Sequence, residues 1–283
     1  MKPAASARET LERVSAGWGR WLPLIDVTRS ALRDPIWARA GLERAGSGAE
    51  PRPLLADARI GVDASGATAF LRCVLEAAAA AGDAPAATLR AAVRHPHLDA
   101  LALLESAVRQ DIAGLADRAG ALEAEPEALR FVLSLAAQPL LHACRRELAS
   151  CLPGGPTPGW CPVCGAWPAF AEARGLDRHL HLRCGRCGAD WASEWLRCPY
   201  CANADHLRLG ALVGSDPADT GRLEICLACH GYLKTLAVLR ATPDEDLLLV
   251  DLANSDLDVA ALAQGYARPP EPAAPLRTRL VAA

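Results

Sequence analysis

The chain has 283 residues, room for about two domains at roughly 100–200 residues each. Hydrophobic residues make up 51% and charged residues 22%, which excludes wholesale disorder. The net charge of −3 gives no electrostatic footprint for nucleic acid or an anionic membrane.

Residues 1–150 are rich in Ala, Leu and Arg and carry helical periodicity. Met1 to Glu9 is polar and lacks the apolar core of a secretory signal. Ser6-Ala7-Arg8-Glu9 has the form of a capping box, and Leu11, Val14, Trp18, Trp21 and Ile25 follow at helical spacing. Phe70, Val74, Ala77 and Ala81 predict a further helix. Leu98, Leu101, Leu104, Val108, Ile112, Leu115 and Leu122 predict one amphipathic stripe. Leu129, Val132, Ala136, Leu140 and Leu148 predict another, with Pro139 a kink or break. Segments 44–66 and 82–96 read as long connections. No strand-like alternation of useful length precedes residue 160, so 1–150 is expected to be an all-α domain.

Residues 151–159 form an expected linker, because a run of prolines and glycines can be neither helix nor central strand. The longest uncharged stretch, 148–171, contains five prolines and so is no spanning helix. Beyond the linker the segments are short, with aromatic or β-branched residues between turn signals. His179-Leu180-His181-Leu182 alternates as a strand would, and 222–225 can be another. The periodicity over 244–266 is helical again, and the Pro-rich tail from 269 is expected to fray. The fold class is therefore α+β. Its parts are a helical domain (1–150), a linker (151–159), cysteine modules at 160–196 and 197–240, and a C-terminal helix and tail (241–283).

The chain contains 11 cysteines, and eight of them form four Cys-x-x-Cys pairs between 161 and 229. An odd count argues against a disulfide scaffold and for a reducing compartment. Two intervening residues let a tight turn present both sulfurs to one ion, and two pairs complete one tetrahedral site. Gly165 and Gly188 follow two of the pairs, where such a knuckle favours a residue without Cβ. Sequential pairing gives Cys161, Cys164, Cys184 and Cys187 as site one, and Cys198, Cys201, Cys226 and Cys229 as site two. A cross-braced pairing of first with third is the alternative. The expected cofactors are two metal ions, rubredoxin-type iron or zinc, which the ligand set does not separate. A purely structural role for both ions stands beside a redox or transfer role. A thioredoxin-type reading fails for want of a βαβ context.

The other candidates are weaker. Arg174, Arg178, Arg183, Arg186 and Arg197 can offset thiolate charge, but most read as surface arginines. His179 and His181 read as exposed strand residues, and His95-Pro96-His97 as a loop. Trp160, Trp167, Trp191 and Trp195 read as a small core around the first module, or else as a protein-binding platform. Cys73 and Cys144 are expected to be buried and inert, and Cys151 exposed. No nucleotide-binding, nucleophile-elbow or metalloprotease motif is present, and nothing forms a catalytic constellation.

Particular strings in the second half resemble the FdhE family of formate dehydrogenase accessory proteins. They are Cys161-Pro162-Val163-Cys164-Gly165, Cys184-Gly185-Arg186-Cys187 with Trp191, and Cys198-Pro199-Tyr200-Cys201. The most distinctive is Cys226-Leu227-Ala228-Cys229-His230-Gly231-Tyr232-Leu233-Lys234, with Asp251-Leu252-Ala253, Asp256-Leu257-Asp258 and Gly265-Tyr266-Ala267-Arg268 resembling the closing helix. The resemblance covers about 160–268; the first half shares only its helical character and a possible echo at Asp34-Pro35 and Arg39-Ala40. The chain departs from the family's closing string at Arg268-Pro269-Pro270-Glu271-Pro272. The resemblance implies a non-enzymatic cytoplasmic maturation factor with two rubredoxin-like iron sites on the eight cysteines. Its implied partner is the catalytic subunit of formate dehydrogenase, with neither nucleic acid nor membrane. A rubredoxin-like electron carrier is the alternative. A nucleic-acid-binding zinc ribbon ranks lower, because 151–240 carries nine basic against eight acidic residues.

Overall fold

The computed structural model describes residues 18–38, 41–44, 51–82, 84–152, 158–213 and 221–283. In chain order its helices are α1 (Leu22–Ala31), α2 (Pro35–Ala38), α3 (Ala64–Ala80), α4 (Ala84–Arg94), α5 (Ala100–Arg109), α6 (Ile112–Ala121), α7 (Pro126–Ala136), α8 (Gln138–Glu147), α9 (Leu247–Ala253) and α10 (Ser255–Ala263). Its strands are β1 (Leu42–Glu43), β2 (Arg59–Val62), β3 (Phe170–Arg174), β4 (His179–Arg183), β5 (Asp190–Ala192), β6 (Leu209–Val213), β7 (Gly221–Cys226), β8 (Tyr232–Val238) and β9 (Arg279–Ala282). The chain divides into two compact units. One holds Leu54–Ser150, Pro275–Ala283 and the described part of Ser15–Glu50; the other holds Pro51–Pro53 and the described part of Cys151–Ala274. The capping box at 6–9, Leu11, Val14, Arg39, Ala40 and most of the expected linker lie outside the described residues.

In the helical unit, short polar side chains start the helices. Asp63 accepts from the N–H groups of Ser65 and Gly66, Asp99 from Ala102 and Asp111 from Gly114. Each satisfies N–H groups that the first turn leaves unpaired. The stripe expected as one helix over 98–122 is two. Gln110 ends α5 in the left-handed region (φ 57°) and Asp111 caps α6. Pro139 stands in the first turn of α8, so the break expected there is present. The connection expected over 82–96 contains α4, which buries Ala86, Leu89, Ala92 and Val93.

The all-α expectation for this unit needs a correction. β1, β2 and β9 form a three-stranded sheet, with β9 parallel to β2. The tail expected to fray supplies β9. Leu276, Thr278 and Leu280 are buried while Arg277 and Arg279 are exposed, the alternation of a strand with one buried face. Thr278 Oγ1 donates to Leu55 O at 2.6 Å, and Leu280 N donates to Glu105 Oε2 at 2.8 Å.

The second unit is built on one six-stranded sheet of order β5-β4-β3-β8-β7-β6. β4 pairs antiparallel with both β3 and β5, and β7 antiparallel with both β6 and β8, while β3 and β8 pair in parallel. The two cysteine modules are thus tandem three-stranded ribbons, the first strand of one joined to the last strand of the other. α9 and α10 cover one face, packing Leu247, Leu257 and Ala261 on Phe170, Leu236, Leu223, Ile225 and Tyr232. The closing helix is broken at Asn254, whose amide donates to Val250 O at 2.8 Å.

Candidate metal centres

All four knuckles repeat one hydrogen-bond pattern. The first cysteine of each pair donates its N–H to the carbonyl five residues on: Cys161 to Ala166, Cys184 to Ala189, Cys198 to Asn203 and Cys226 to Gly231, at 2.8–2.9 Å. The residue after the second cysteine has positive φ in every case: Gly165 (67°), Gly188 (72°), Ala202 (57°) and His230 (55°). The expectation for Gly165 and Gly188 holds. The second ribbon meets the same demand with residues that carry a Cβ, a conformation that costs about 1–2 kcal/mol.

Gly165 is also hemmed in. A Cβ there would lie 2.5 Å from Ala274 O and 2.8 Å from Pro53 Cγ, whereas Gly175, at the same φ of 67°, has nothing within 4 Å. Gly175→Ala is expected to cost about 1 kcal/mol, and Gly165→Ala more than about 3 kcal/mol, since backbone must shift as well. Urea titration of the two variants side by side checks this.

The knuckles bring the eight sulfurs into two groups, Cys161/Cys164/Cys184/Cys187 and Cys198/Cys201/Cys226/Cys229, with ligand atoms in each within 4.8 Å of one another. The gathering is sequential and not cross-braced. In the first group Cys161 and Cys187 Sγ are 3.4 Å apart, and Cys164 and Cys184 Sγ 3.5 Å. In the second, Cys198 and Cys229 are 3.7 Å apart and Cys201 and Cys226 3.8 Å. Metal–sulfur bonds of about 2.3 Å in a tetrahedron set sulfurs about 3.8 Å apart. Each group can therefore hold one metal ion.

The protonation chemistry points the same way. Burial pushes the Cys161 and Cys187 thiols well above their ordinary value, while hydrogen bonds from the Cys161, Cys184 and Cys187 side chains hold Cys164 well below it. Burial thus opposes ionisation of Cys161 and Cys187. A divalent cation supplies the charge that full ionisation of four sulfurs requires. In the second group burial raises Cys198, and raises Cys229 to about 11. Against burial, the backbone N–H groups of Cys229 and Ala228 hold Cys226 low.

The surrounding residues divide differently from expectation. Arg183 is not a surface residue. It is 2% exposed and reaches the fully buried Glu172 at 3.1 Å, Thr242 O at 3.0 Å and Asp244 at 3.4 Å. Arg174 also pairs with Glu172, and with Asp190 at 2.6 Å. Among the five arginines it is Arg186 whose charge helps lower Cys164. His179 is exposed as expected; His181 is half-buried, its Nδ1 2.7 Å from Asp190.

Trp191 is buried. Trp167 packs edge-on against Tyr200 at 5.2 Å, and Trp195 carries the Arg222 guanidinium over its ring at 4.9 Å. His95-Pro96-His97 is a loop. Cys144 is buried and its thiol is pushed up to about 12 by that burial, and Cys151 is exposed. Cys73 is exposed, contrary to expectation, because α3 buries the face carrying Leu71, Val74, Leu75 and Ala78 instead.

One residue cluster carries more than its pattern announced. Lys234, 1% exposed, binds Asp251 at 2.6 Å and Asp258 at 2.7 Å, both from the closing helices. Arg268 joins Asp258 at 2.9 Å and lies over the Tyr232 ring. Tyr200, inside the third knuckle, donates to Tyr232 O at 2.7 Å. The Tyr232-Leu233-Lys234 string therefore fastens the second ribbon to its covering helices. No helix among the described residues is long and apolar enough to cross a membrane.

No protein-family model matches the chain. Curated relatives do: it is 36% identical over 111 residues to the Protein FdhE homolog of Stutzerimonas stutzeri (strain A1501), and 32% identical over 110 residues to that of Shewanella baltica (strain OS223). Each match takes in 38% of this chain and 35% of the relative, so the chain is matched to about a third of those proteins' length. Among solved structures, the FdhE protein from Pseudomonas aeruginosa aligns over 97% of this chain and 98% of its own, with a TM-score of 0.56 and 23% identity. The chain thus shares its fold with FdhE from P. aeruginosa, and over about two-fifths of its length it is homologous to curated proteins named FdhE homolog.

Proposed function

We propose that this chain is an accessory protein for the maturation of formate dehydrogenase, acting in the cytoplasm on the enzyme's catalytic subunit. The observation that carries the reading is a pair of four-cysteine groups on one shared sheet, in a chain similar to proteins named for that system. The eight cysteines are the proposed ligands of two ions. A bound divalent ion supplies positive charge and cross-links; the chain's own residues position the sulfurs and donate N–H groups to them. Cys164 N lies 3.5 Å from Cys161 Sγ, and Arg186 N 3.4 Å from Cys184 Sγ. Iron is the proposed metal, by resemblance. The reducing cytoplasm suits a chain that keeps 11 cysteines free. We propose a binding role and no reaction on a small molecule.

The test is affinity capture of the tagged full chain from cells making formate dehydrogenase. The immature catalytic subunit is expected to co-purify. Its absence from the captured material, in both immature and mature forms, would refute the reading.

A further inference from the structure

We propose that the second cysteine group is the chain's exchange site. Cys201 and Cys229 are where an external thiol or chelator reaches a bound ion, and where thiol modification of the groups begins. The inference rests on the reading of both groups as metal sites.

The two groups share a knuckle but not an environment. In the first, Cys161, Cys164, Cys184 and Cys187 are each 0% exposed. In the second, Cys198 and Cys226 are buried, but Cys201 and Cys229 are exposed. Leu227, within the fourth knuckle, is itself 45% exposed. The second group is also bordered by a cavity of about 280 Å³. Cys198 and Cys226 line it together with Trp195, Tyr200, Arg222 and Glu224. So the second group has two exposed cysteines and two that line a space large enough for a small thiol or a side chain. The first group's four cysteines are all fully buried.

The left-handed position after each pair differs as well. Glycine fills it in the first ribbon, whereas Ala202 and His230 fill it in the second, so those turns hold their shape against backbone strain.

Thiolate chemistry converts this difference into reactivity. An incoming thiol takes a sulfur's place at the ion and passes its proton to the departing cysteine thiolate. One metal–sulfur bond forms and one breaks, no electron changes hands, and no oxidant is needed. At the second group this occurs on the folded chain. At the first it requires local opening of a fully buried core, which is rarer by the cost of that opening. The molecule thus joins a ribbon that retains its ion to one that gives up or accepts an ion from a thiol-bearing partner.

The experiment uses the full chain prepared without oxygen in a Cys73→Ser/Cys151→Ser background, which removes the other exposed thiols. Metal release to 4-(2-pyridylazo)resorcinol is followed with and without glutathione, and alkylation by N-ethylmaleimide is mapped by mass spectrometry. One equivalent is expected to leave at least about tenfold faster than the other. Cys201 and Cys229 should be alkylated before any cysteine of the first group, and Cys201→Ser should abolish the fast phase. Release of both ions in one phase, or earlier alkylation at 161–187, overturns the proposal. A chain that holds no ion contradicts the metal reading itself. The alkylation order on that metal-free chain still decides which group is open.

Discussion

Cys161→Ser is expected to remove about one ion per chain and to unfold the first ribbon, and Cys226→Ser to do the same to the second. Each ribbon is small: the first buries Val163, Phe170, Leu180, Leu182 and Trp191 with a few alanines, and its two knuckles bring their four sulfurs together. Structural tetrathiolate sites contribute about 10–16 kcal/mol of apparent binding free energy, as much as a whole domain's net stability of about 5–15 kcal/mol. The effect should also cross the sheet. β3 and β8 pair in parallel over Ala171–Arg174 and Thr235–Val238, so losing the first ribbon leaves β8 an open edge. Metal analysis with far-UV circular dichroism checks both effects. Full metal retention when the two substitutions are combined would refute the ligand assignment.

The second large effect lies away from the metals. Arg183→Met is expected to destabilise the chain by about 2–3 kcal/mol, the usual cost of taking one donor from a buried carboxylate that keeps its others. Glu172 is fully buried and accepts from Arg183, Arg174 and the Thr242 N–H at 3.0 Å. Methionine supplies similar volume but no donor. Arg130→Met, which breaks an exposed pair with Glu127, is the control and should change stability by less than about 0.5 kcal/mol. Equal shifts in urea midpoint for the two variants would contradict the account.

The grouping of eight cysteines was legible because it is local: a Cys-x-x-Cys turn writes its geometry in four residues, and Gly165 and Gly188 write the left-handed position after it. Ala202 and His230 conceal the same position, since only the backbone reveals it. The joining of the ribbons was not legible, because the β3–β8 register depends on residues about 64 apart in the chain. β9 was missed for another reason. Prolines upstream signalled a loose tail, yet Leu276, Thr278 and Leu280 already alternated with Arg277 and Arg279. The buried ion pairs were hidden too, because Arg183, Glu172 and Lys234 look like ordinary surface charges until the sheet and its covering helices enclose them. The difference in exposure between the two sulfur groups is likewise tertiary: both carry the same pair of Cys-x-x-Cys turns.

The central claim, that the eight cysteines form two metal sites, is tested most directly by elemental analysis and a visible spectrum of the wild-type chain purified under reducing, oxygen-free conditions. Two ions per chain are expected, with the visible absorption of ferric tetrathiolate on oxidation if both are iron, as proposed. Zinc at both sites would leave the ligand assignment standing and remove the iron. A folded chain containing neither metal would contradict the account.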